Sequence, residues 1–159
     1  MVAVPVFSGE KMQVDTKVAG LVEIPDDQII KIPSGLFGFE DYTDFALYDS
    51  AYPPFVWLQS LQEKNLAFLM IDPFLVCDGY ETDIDDRELQ KIEVTDPAQV
   101  LVMALVTVPG NGQPVTANLL GPVIINKKTR TGMQVILNSD RWPTKFDIVD
   151  GMRRRREGR

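Results

Sequence analysis

The chain has 159 residues, 45% of them hydrophobic, with 23 acids against 16 bases, a net charge of −7, one cysteine and no histidine. That is enough apolar material for one buried core, on a body acidic enough to repel nucleic acid phosphate. The missing histidine removes the commonest general base, the commonest metal ligand and every Ser-His or Cys-His triad. A single cysteine leaves no internal disulfide, and no run of about 18 apolar residues is present to cross a membrane as a helix.

The opening MVAVPVFSGEK lacks the basic start, continuous apolar stretch and small-residue cleavage site of a secretory signal, so a cytoplasmic protein is expected. Apolar and β-branched runs with short spacers follow at 2–7, 17–24, 28–33, 45–48, 55–60 and 66–71. Their lengths, and the Pro and Gly near several of their ends, predict strands. Within KIPSGLFGFEDY (31–42), Gly35 and Gly38 stand among Leu36, Phe37 and Phe39, which predicts a sharp β corner. No Gly-Lys-Ser/Thr follows, the third glycine of a dinucleotide fingerprint is missing, and acids come next, so the corner is no phosphate cradle. Two uses remain: Phe37 and Phe39 pin the corner to the core, or the loop also presents an aromatic to a protein partner. Trp57, with alternating neighbours in YPPFVWLQS, reads as core, and Cys77 after FLV reads as a buried structural thiol.

Between 78 and 88, six carboxylates (Asp78, Glu81, Asp83, Asp85, Asp86, Glu88) face a single Arg87. The glycine spacing is not that of an EF-hand, which leaves a solvated acidic face or a docking surface for a basic protein. The best helix is Asp83 to Ile92, with Asp85 or Asp86 as its cap and Ile84, Leu89 and Ile92 inward. Further strand-like runs lie at 100–108, 114–120, 122–128 and 133–138, with turns at PGNGQP (109–114) and TRTG (129–132). Asn118 and Asn126 are expected to satisfy backbone groups at strand ends. The chain thus reads as one mostly β domain over 1–150, an antiparallel barrel-like or sandwich fold with one or two short helices. A basic, disordered tail over 151–159 follows, carrying Arg153 to Arg156.

In order, IPSGLFGFEDY (32–42), PFVWLQSL (54–61), FLMIDPF (68–74), VLVMALVTVP (100–109) and TANLLGPVIINKKTRTGMQVIL (116–137) resemble the flagellar assembly factor FliW family. The most specific part is N-L-x-x-P-[IV]-x-I-N followed by G-x-Q-x-I-L, and the resemblance spans 14–137. It implies a β-barrel-like fold and a cytoplasmic monomer without enzymatic activity, cofactor or metal. It also implies binding to newly made flagellin and to CsrA, the RNA-binding repressor of flagellin translation. In that scheme free flagellin occupies the factor and releases the repressor; export of flagellin lets the factor capture the repressor again. The arginine run and the hydrophobic start match no part of the family pattern. Phe37, Phe39, Tyr42 and Phe74, each beside a Gly or Pro turn, are the expected apolar contacts for flagellin. Asp83, Asp85, Asp86 and Glu88 are the expected contacts for the basic repressor. The competing readings are an RNA-binding or other regulatory β module using the basic tail, and a small carboxylate or lysine enzyme, which the lack of histidine weighs against.

Overall fold

The computed structural model describes residues 10–158; the apolar run at 2–7 lies outside them. Eleven strands are formed there: β1 (Lys11–Thr16), β2 (Gly20–Pro25), β3 (Ile29–Lys31), β4 (Asp44–Asp49), β5 (Val56–Ser60), β6 (Ala67–Ile71), β7 (Val100–Thr107), β8 (Thr116–Ala117), β9 (Val123–Asn126), β10 (Thr131–Gln134) and β11 (Phe146–Asp147). Two α-helices accompany them, α1 (Asp86–Lys91) and α2 (Ile148–Arg156). Seven strands close a barrel in the order β7-β6-β5-β4-β3-β10-β9, because β9 pairs back onto the first half of β7. The second half of β7 pairs with β8, which carries β11. One pair, β3 with β10, is parallel, so the barrel is not antiparallel throughout.

Strand alternation sorts side chains into a core inside the barrel and two cores outside it. Phe45, Leu47, Leu58, Met70, Met103, Val123 and Ile125 fill the interior cluster with Leu36. Their neighbours in sequence face outward. Ala46 and Tyr48 lie under the β1–β2 hairpin, which contributes Met12, Val14 and Ile24. Ile71, Ala104 and Ile124 form the second outer core beneath Tyr80, Trp142, Ile92 and Ile148. Covering both outer walls turns a barrel that would expose apolar residues into one with three layers.

Several expectations are corrected. The run 17–24 is not one strand: Thr16 Oγ1 accepts from Ala19 N–H and donates to the Gly20 carbonyl, closing a turn between β1 and β2. The run 114–120 keeps only two strand residues, since Asn118 Oδ1 accepts from the N–H groups of Leu120 and Gly121 and bends the chain. Part of TRTG is strand, because Asn126 Oδ1 takes the N–H of Lys128 and Thr129 and makes the turn early.

The largest correction concerns the tail, expected to be disordered from 151. Residues 151–156 are helical. Asp147 caps α2 by accepting from Asp150 N–H at 3.0 Å, and Ile148 is buried. Asp150 pairs with Arg153 and Arg154 one turn on, and Arg155 reaches Asp78 at 3.0 Å. A β-carbon on Gly151 would collide with the Val76 carbonyl and the Phe146 ring, so glycine lets the helix lie flat against the barrel.

Candidate functional site: a cleft between the corner and the acidic helix

The corner at 32–42 is built by backbone bonds and one distant side chain. Gly35 N–H donates to the Ile32 carbonyl, Phe39 N–H to Leu36, and Tyr42 N–H to Phe39. Gly35 has φ +69°, and a β-carbon there would stand 2.5 Å from Glu40 Cα, so only glycine permits the turn. The Gln134 side chain clamps the corner to the barrel: Oε1 accepts from Phe37 N–H at 2.9 Å and Nε2 donates to the Gly121 carbonyl at 2.9 Å. Leu36, 1% exposed, is the anchor in the core. Of the two uses expected for the aromatics, exposure favours presentation for Phe37, 53% exposed, whereas Phe39, 38% exposed, is in part packed on the barrel. Phe39 lies edge-on to Phe68, 5.0 Å between centroids.

The acidic helix arrives from the other side. Asp85 caps α1 by accepting from Arg87 N–H at 3.1 Å, and Ile84, Leu89 and Ile92 pack on the outer core, as the sequence predicts. Asn126 ties the helix end to the barrel, its Nδ2 donating to the Ile92 carbonyl at 2.8 Å. Between corner, helix and β10 lies a cleft of about 460 Å³. Phe37, Met133, Val135 and the 60% exposed Ile136 supply its apolar surface; Glu40, Glu88 and Lys91 supply charge. Lys91 holds Glu88 at 3.0 Å. A bond from Gly38 N–H keeps the Glu40 carboxyl below its ordinary pKa, so it stays ionised at neutral pH.

The eight expected contact residues therefore separate. Phe37 and Glu88, expected to serve different partners, line one cleft. Asp83, Asp85 and Asp86 are exposed on or beside α1, with Asp85 spent as its cap. Tyr42 is half-buried against the interior core. Phe74 belongs to another region, edge-on to Tyr80, whose ring meets Trp142. Tyr80 donates to the Leu119 carbonyl at 2.7 Å, and burial raises its pKa, so it is a neutral structural donor. Burial first, then Asp78, raises the half-buried Cys77 thiol, which disfavours the reactive thiolate. Among the described residues no cluster of acids and cysteine is placed to hold a metal ion, and no helix is long and apolar enough to cross a membrane.

Of the cleft lining, the sequence points only to Phe37 and Glu88; Glu40, Lys91, Met133, Gln134, Val135 and Ile136 are added by the fold. Ile136 belongs to the run 133–138 that reads as strand, but β10 ends at Gln134 and Ile136 lies beyond it. Trp57, read as core, instead lines a second groove of about 260 Å³ with Tyr52, Phe55, Leu69, Val108 and Val115. The signal was present: Leu58 faces the interior, so period-two alternation sends Trp57 outward.

A family model described as FliW protein matches residues 13–148. The chain belongs to the FliW family. The FliW protein of Treponema denticola, a flagellar assembly factor, is 53% identical over 138 residues, covering 87% of this chain and 94% of its own. That of Treponema pallidum is 50% identical over 145 residues, covering 91% and 97%. A crystal structure of the flagellar assembly factor FliW superposes with a TM-score of 0.78 at 34% identity, covering 86% of this chain and 96% of the other. The FliW match contains every residue of the cleft and stops at the first residue of α2.

Proposed function

We propose that this protein is a cytoplasmic flagellar assembly factor that catalyses nothing and acts by binding flagellin and the translational repressor CsrA in turn. The relatives' shared name supports the flagellar role. The observation that carries the binding scheme is the cleft itself, where exposed Phe37 and Ile136 lie beside the carboxylates of Glu40 and Glu88. Apolar area holds the apolar helical ends of flagellin, and the carboxylates draw in a basic repressor. Because both features line one concavity, occupation by either partner excludes the other. The arginines of α2 favour this reading over an RNA-binding tail, since three of the four are engaged by Asp150 and Asp78.

Calorimetry of the full chain with CsrA, and separately with a C-terminal flagellin fragment, tests the reading. Both are expected to bind. Ile136→Asp, at an exposed position, is expected to weaken flagellin about tenfold, and Glu88→Lys to weaken CsrA by a similar factor. No heat with either partner would overturn the assignment.

A further inference from the structure

Beyond the cleft, α2 carries a second surface of opposite charge. Its inner side is fixed by Ile148 and by the tight seat of Gly151, so its outer side has a defined position. There Val149, 65% exposed, and Met152 join Leu75, 43% exposed, from the neighbouring turn Pro73–Leu75. These three form a shallow apolar cleft of about 540 Å³ whose charged lining, among the described residues, is Arg155 and Arg156. Arg155 is held by Asp78, whereas Arg156 enters none of the ion pairs that fix the other three arginines. A cation-rimmed apolar cleft without a lining carboxylate among the described residues stands out on a chain of net charge −7.

We propose that this face docks a short amphipathic helix of a partner protein, one that lays apolar residues on Leu75, Val149 and Met152 and a carboxylate on Arg156. Charge complementarity selects that occupant. An extended polyanion, whether RNA or an anionic membrane, would meet Asp78 and Asp150, which already hold Arg155, Arg153 and Arg154 along the same helix; a short segment with one placed carboxylate would not. The surface shares no residue with the corner cleft, and all of its lining but Leu75 lies past residue 148, where the family match ends, so it is independent of the flagellin and CsrA reading.

The test uses the full chain and two labelled helical peptides with the same leucine stripe, one flanked by glutamates and the other by lysines, read by fluorescence anisotropy. The glutamate peptide is expected to bind about tenfold tighter or better, and more weakly as salt rises. Val149→Asp is expected to remove that binding, and Arg156→Glu to reverse the preference between peptides, with thermal melts confirming that both variants fold. Failure of the glutamate peptide to bind, equal binding of the two peptides, or binding unchanged in the variants overturns the proposal. So does tight binding of a single-stranded RNA or of anionic vesicles that Arg156→Glu abolishes, or a self-association that Val149→Asp abolishes.

Discussion

The corner cleft and the Trp57 groove are both concave, apolar and open to solvent, yet they arise differently. The groove is a stretch of outer barrel wall that the described residues leave uncovered between the β1–β2 hairpin and the elements over the other outer core; its lining is almost entirely apolar side chains. The cleft is assembled around a backbone turn fixed by Gly35 and Gln134, and it carries the side chains of Glu40, Glu88 and Lys91. Apolar area alone gives adhesion without orientation. Apolar area beside fixed charge gives both, which is why the cleft rather than the groove is assigned to the partners.

The contrast is open to experiment. Within β5, Leu58→Ala empties an interior position and is expected to destabilise by about 2–5 kcal/mol in denaturant unfolding, whereas Trp57→Ala, on the outer wall, is expected to lower stability less. Equal losses would place Trp57 in the core after all. At the corner, Gly35→Val meets both a positive φ and the Glu40 backbone, with an expected loss of about 3 kcal/mol or more; Gly38→Val, with φ +87° but open space, is expected to lose about 1 kcal/mol. Matching melts for the two would remove the steric argument for the turn.

Much of this architecture is legible in the sequence, but unevenly. The β-branched runs give β5, β6 and β7 nearly to the residue, because local pattern decides them. Barrel closure through β7 and β9, and the parallel β3–β10 pair, depend on partners far apart in the chain and leave no local mark. The corner shows why half the site is hidden. Leu36, Phe37 and Phe39 look equally buriable, and the outcome is set by the Gly35 turn and by Gln134, 97 residues from Phe37. Likewise four arginines in a row look solvated, yet Asp78, 77 residues away, holds Arg155.

Two smaller effects sharpen the account of the cleft. Asn126→Ala removes a buried donor to Ile92 and an acceptor for two turn amides; about 2 kcal/mol is the expected loss, with faster hydrogen exchange in α1 than at the corner. Uniform exchange across both would mean that the helix is held elsewhere. The Gly38 bond lowers the Glu40 pKa, so its contribution is complete above the ordinary carboxyl value of 4.5 and fades as pH falls through the lower folded value. Carboxyl NMR is expected to give a midpoint below 4.5, with the Gly38 amide shifting in step; a midpoint at or above 4.5 would show that the bond is not formed in solution.

The central claim is that one cleft serves both partners in turn, and displacement tests it most directly. A labelled C-terminal flagellin fragment bound to the full chain is titrated with CsrA while anisotropy is followed. The account predicts complete release of the fragment, at a CsrA concentration that rises in proportion to the fragment present, and no ternary species in sedimentation. A plateau at saturating CsrA with the fragment still bound would contradict it, because the two partners would then occupy separate surfaces.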